Sequence, residues 1–143
     1  MAGTVSVAYS IVDRTSPAAA FPPIKRAVID WVSSAGGGAD GAVVLEGEIL
    51  KVVTNPGATA PTDNYDVTLV DEDGFDALEG YGANRDTATT EAVYPLKKEE
   101  VTLAGTLTDR GVVAQRVVVS GAYTFTVANA GDTKAGRCTI YFR

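Results

Sequence analysis

Val5, Val7, Tyr9 and Ile11 alternate with Ser6, Ala8 and Ser10. A period of two residues puts one set on each face of a strand, and a helix has no use for it. The same alternation recurs at Tyr65, Val67 and Leu69, at Tyr123, Phe125 and Val127, and at Cys138, Ile140 and Phe142. Ala27, Ile29 and Trp31 alternate against Arg26 and Asp30, so 24–34 reads as a strand rather than a short amphipathic helix. Turn-forming clusters interrupt these runs about every 8–12 residues, and no segment sustains a helical apolar period. The spacing predicts an all-β chain, a single-domain antiparallel β-sandwich or barrel of about nine or ten short strands spanning residues 1–143.

The punctuation is equally specific. Asp13–Pro23 holds three prolines, which forbid a central strand and leave a loop or an extended arm anchored by Phe21. Ser33–Gly41 reads as a flexible glycine-rich loop, Ala42–Leu45 as a short strand, and Glu46-Gly47-Glu48 as a turn. Glu48–Thr54 reads as a strand stopped by Asn55-Pro56-Gly57. Asp71–Gly74 reads as a hairpin tip, with a return strand beginning at Phe75. Gly80–Thr90 is a second long loop and Glu91–Leu96 a short strand. Further strands are expected at 101–108 and 112–119, with turns at Asp109-Arg110-Gly111 and Ser120-Gly121.

Composition removes whole classes of chemistry. There is no His, so histidine-based triads and zinc–histidine sites are out of reach. Cys138 is the single cysteine, which rules out an internal disulfide, and its place in a strand reads as a small buried hydrophobe. The acidic run Asp71, Glu72, Asp73, Asp76 and Glu79 misses the calcium-loop spacing and reads as a solvated hairpin tip. The glycines at 36–38 lack the Lys-Ser/Thr that a phosphate loop needs. A formal charge of −6 argues against nucleic acid as partner. No apolar stretch approaches the roughly 20 residues of a membrane span. No basic segment followed by an apolar run opens the chain, so no secretory leader is expected. Neither catalytic residues, nor a metal site, nor a cofactor is expected.

Asn55-Pro56-Gly57, Ala60–Leu69, Asp73–Leu78 and Gly80–Arg85 together resemble small structural proteins of tailed bacteriophages encoded among head-assembly genes. Ile29-Asp30-Trp31 before the glycine loop, and the ending Thr124–Gly131 and Thr139–Arg143, are similar to the same group. The resemblance covers 24–96 and 122–143, and leaves Gly111–Ser120 unmatched. It implies a non-enzymatic virion protein, foremost a capsid decoration (cement) protein. Such a protein is made in the host cytoplasm and sits on the capsid exterior. Its partners would be the major capsid protein and itself, as a homotrimer. The alternatives are a head–tail completion, tail or fibre-base protein, or a carbohydrate- or surface-binding module. The expected contact region is the N-terminal strand and arm (1–23) with loops 33–41 and 80–90, because loops free of core duty carry binding. Phe21, Pro22, Tyr81 and Arg85 are its candidate partner-binding residues. Arg85 has two readings: a donor to a partner, or a pin for its own loop through Asp63 or Asp86.

Overall fold

Ala39–Pro56 forms one long strand that belongs to two layers. In a computed structural model, which describes residues 3–12, 23–98 and 112–143, it is the third strand, β3. The others are β1 (Thr4–Ile11), β2 (Lys25–Val32), β4 (Asp66–Val70), β5 (Glu91–Val93), β6 (Leu96–Lys98), β7 (Val112–Arg116), β8 (Val118–Ala128) and β9 (Ala135–Phe142). Strands take about 60% of the described residues, against the usual 20–25%, and no helix occurs among them. The expected all-β, antiparallel single domain is what the chain adopts.

The main sheet runs β1-β2-β9-β3-β8-β4, with β5 on the far side of β3. Ala39–Glu48 pairs with β8, and Ile49–Pro56 pairs with β9. The sheet therefore folds over along β3, and its two halves face each other across one core. From one half come Ala27, Ile29, Trp31, Ile49, Val52, Cys138, Ile140 and Phe142. From the other come Val43, Leu45, Val67, Leu69, Val119, Tyr123, Phe125 and Val127. Trp31 and Tyr65 meet across the interior, ring centroids 5.6 Å apart and tilted by 48°. Burying a side chain of this size stabilises by roughly 1.5–3 kcal/mol. β6 and β7 form a separate two-stranded sheet.

Several local readings give way to tertiary pairing. Glu46-Gly47-Glu48 is no turn but the fold line of β3. Gly47 takes φ +118°, and the terminal Arg143 carbonyl sits where a Cβ would be. Glu48 and Arg143 bond reciprocally there, N–H to carbonyl, at 2.7 and 3.1 Å. Ser120-Gly121 likewise lies inside β8, because ten consecutive residue pairs with β3 outweigh a local turn preference. The glycine loop is shorter than expected, since β3 already begins at Ala39. Glu91–Leu96 divides into β5 and the start of β6 around Tyr94-Pro95. No return strand follows Gly74. Asp76 makes one bridge with Val70 and the chain then turns. The strand read at 101–108, the turn at 109–111 and the loop or arm with Phe21 and Pro22 lie outside the described residues.

Two neutral groups inside the core make the fold sensitive to alkali. Burial pushes the Cys138 thiol up to about 12 from 9.0. Burial also pushes the Tyr65 phenol up to about 12 from 10.0. The Thr54 hydroxyl nearby acts the other way, but without a well-formed hydrogen bond to the Tyr65 hydroxyl. Both folded-state values exceed the unfolded ones. Their contribution is thus complete below about pH 9 and is lost as pH rises toward 12. The urea midpoint should hold steady up to about pH 8.5 and fall markedly by pH 11. An equal midpoint at pH 8 and pH 11 would refute this. In the folded chain Cys138 should also resist thiol reagents that label it at once in denaturant.

Candidate partner-binding surface

The loops at one end of the domain are tied to each other rather than merely adjacent. Loop 33–38 meets loop 129–134 through Ser33, which is buried. Its hydroxyl donates to the Gly131 carbonyl at 2.6 Å and accepts from Lys134 N–H at 2.8 Å. Ala130 N–H donates to Gly37 O at 2.9 Å, and Thr62 N–H donates to Ala130 O at 2.8 Å, which brings in loop 57–65. Thr87 Oγ1 donates to the Pro61 carbonyl and joins loop 80–90 to the same end. The Asp66 carboxylate adds two more ties, accepting from Asn84 N–H at 3.0 Å and from Asn129 Nδ2 at 2.7 Å. Small polar side chains facing backbone groups are the reason these glycine-rich stretches hold one shape.

Arg85 takes the pinning role, but through partners other than the expected Asp63 and Asp86. Its Nε and Nη2 donate to the Ala83 carbonyl at 3.0 and 2.8 Å. Its ion pair is with Glu91, at 3.5 Å, rather than with Asp63 or Asp86. Asp86 instead accepts from Ala88 and Thr89 N–H, at 2.6 and 2.8 Å, and these bonds hold its carboxyl below the usual range. Tyr81 is half-buried in the same loop, its N–H donating to Leu78 O at 2.9 Å. Phe21 and Pro22 lie outside the described residues. The chain enters and leaves their segment at Val12 and Ile24, paired N–H to carbonyl at 2.8 Å. That point adjoins the row Ile11–Lys25–Phe142–Ile49, at the opposite end of the strands from the tied loops. Loops 33–38 and 80–90 thus sit at one end of the domain, and Val12 and Ile24 at the other.

The acidic hairpin turns its carboxylates onto its own backbone. Asp71 Oδ1 accepts from Asp73 and Phe75 N–H, at 3.0 and 2.8 Å. Asp76 Oδ1 accepts from Leu69 and Leu78, and Oδ2 from Gly80, at 2.9, 3.0 and 3.0 Å. Among the described residues no three Asp, Glu or Cys side chains converge as a metal site would require.

The outer face of the β1-β2-β9-β3 layer is ordered in rows that the registers fix. Ser10, Arg26, Tyr141 and Lys51 form one row. Lys51 Nζ stands 4.4 Å from the Tyr141 ring centroid, and Arg26 Nε donates to Ser10 Oγ at 2.7 Å. Ser6, Asp30, Arg137 and Asn55 form another. Asp30 and Arg137 pair bidentately at 2.6 and 2.9 Å, so that Arg137 holds the Asp30 carboxyl below its ordinary value. Between them lies a small, uncharged row, Ala8, Val28, Thr139, Val53 and Ala92. Strand alternation could have revealed this face, but the order of strands across it could not be read from the sequence.

No family model, curated protein or solved structure matches the chain.

Proposed function

We propose that this protein is a non-enzymatic virion structural protein, a capsid decoration (cement) protein that binds and stabilises the major capsid protein lattice from outside. The reading starts from the resemblance of 24–96 and 122–143 to phage head proteins. The observation that carries it furthest is the cross-tied loop end. Ser33, Asp66, Thr87 and Arg85 hold four loops in place before any partner arrives. Preorganised loops lose little entropy on docking. A lattice multiplies each modest contact, so that weak single sites suffice. The homotrimer and the capsid-exterior location belong to the same proposal.

Undecorated capsids mixed with purified protein test it. The expected result is saturable binding in simple proportion to the major capsid protein, with capsids that resist heat better than bare ones. Phe21→Ala or Tyr81→Ala should lower occupancy, by about 2 kcal/mol for an aromatic anchor. Binding confined to a single vertex would move the protein to a connector or tail role, and absence of binding would end the proposal.

A further inference from the structure

β1 and the first half of β3 run side by side without ladder pairing between them. Near Gly41 they touch: a Cβ there would lie 2.6 Å from the Val5 Cβ. Farther along, one hydrogen bond spans the gap, from Val44 N–H to the Tyr9 hydroxyl at 2.9 Å. There the strands part around a groove of about 550 Å³, lined by Tyr9, Ile11, Lys25, Val44, Glu46 and Phe142. Tyr9 is 53% exposed, Ile11 64% and Val44 54%. Single exposed apolar side chains are ordinary, but three around one groove mark a contact surface. The lips are oppositely charged, with Lys25 beyond β1 and Glu46 on β3. Lys25 Nζ rests 5.1 Å from the Phe142 ring centroid, and Glu46 has no ion-pair partner among the described residues.

We propose that this groove is the interface between two copies of this chain related by a two-fold axis. An isologous contact needs a self-complementary patch. Here the centre is apolar, one lip carries a cation and the other an anion. Rotation by a half-turn sets Lys25 of each copy against Glu46 of the other. A partner of a single sign would be attracted at one lip and repelled at the other. The contact goes beyond the virion reading and stands without it.

Sedimentation equilibrium of the full chain at low salt, from about 1 to 100 μM, reads the association directly. Wild type should associate in pairs through this contact, giving two copies, or six where the proposed trimer also forms. Lys25→Glu and Glu46→Lys should each weaken it by about tenfold or more, because each places like charges at both lips. The double variant should restore it. An equimolar mixture of the two single variants should restore it too, since each supplies the charge that the other lacks. Restoration also excludes misfolding as the cause of the single-variant losses. A wild type that stays monomeric throughout, or an oligomer untouched by either single variant, overturns the proposal. A monomeric wild type whose Ile11→Lys variant loses capsid binding assigns the groove to the capsid protein instead, and overturns it as well.

Discussion

Gly47→Val should lower the melting temperature by about 10 °C or more, corresponding to over roughly 3 kcal/mol for a domain of this length. Two costs combine. At φ +118° a branched residue is strained, by about 1–2 kcal/mol. The new side chain would also meet the Arg143 carbonyl, which is backbone and bonded to Glu48, so it has no free direction in which to move. Displacing it opens the reciprocal Glu48–Arg143 pair at the fold line, where the two halves of the sheet share β3. Gly121→Ala provides the comparison. It too has positive φ, +99°, but nothing lies within 4 Å of the added Cβ. It should cost roughly the strain alone, about 1 kcal/mol. Thermal melts that give the two variants equal losses would show that collision at the fold line contributes nothing.

The same fold line marks how far the sequence could be read. The strands were legible because alternation is a local property, and β2, β4, β8 and β9 stand where their apolar residues alternate. Glu46-Gly47-Glu48 reads as a turn because a glycine between two acids has the chemistry of one. What overrides it is pairing with β8 on one side and β9 on the other, from residues 70 or more positions away. Alternation also tells which residues share a face, not what covers that face. Val5, Val7, Tyr9 and Ile11 share one, yet Val5 and Val7 are half-buried while Tyr9 and Ile11 are exposed, because β1 leaves β3 after Gly41. The groove was therefore invisible in sequence. In the candidate surface, glycine-rich composition located the loops. The ties came from Ser33, Asp66 and Thr87, common polar residues whose partners are set only by the tertiary fold. Arg85 and Glu91 are six residues apart, but Asp86 next to Arg85 and Asp63 across the hairpin are equally eligible from sequence.

Asp76→Ala should cost about 2–4 kcal/mol and make the protein prone to aggregate. β4 is the last strand of its layer, bonded to β8 along one edge. The other edge would be an open template, but the chain covers it with its own continuation. Arg85 N–H donates to Tyr65 O, Val67 N–H to Gly82 O, and Ala77 N–H to Leu69 O, at 2.7, 2.8 and 2.7 Å. Between these, Leu69 N–H has no backbone acceptor and is met by the Asp76 carboxylate at 2.9 Å. That carboxylate also holds Leu78 and Gly80, so it fixes the turn that carries fully buried Leu78 into the core. Alanine leaves three backbone donors without their acceptor and uncovers an edge of a strand whose Val67 and Leu69 are core residues. Asp76→Asn keeps an oxygen for Leu69 and Leu78 and turns an amide toward Gly80 N–H, so it should lose less than half as much. Thermal melts would rank wild type, asparagine and alanine in that order, and light scattering near the melting temperature would rise in the reverse order. An alanine variant that melts with wild type and stays clear in solution would show that the edge is protected by the backbone bonds alone.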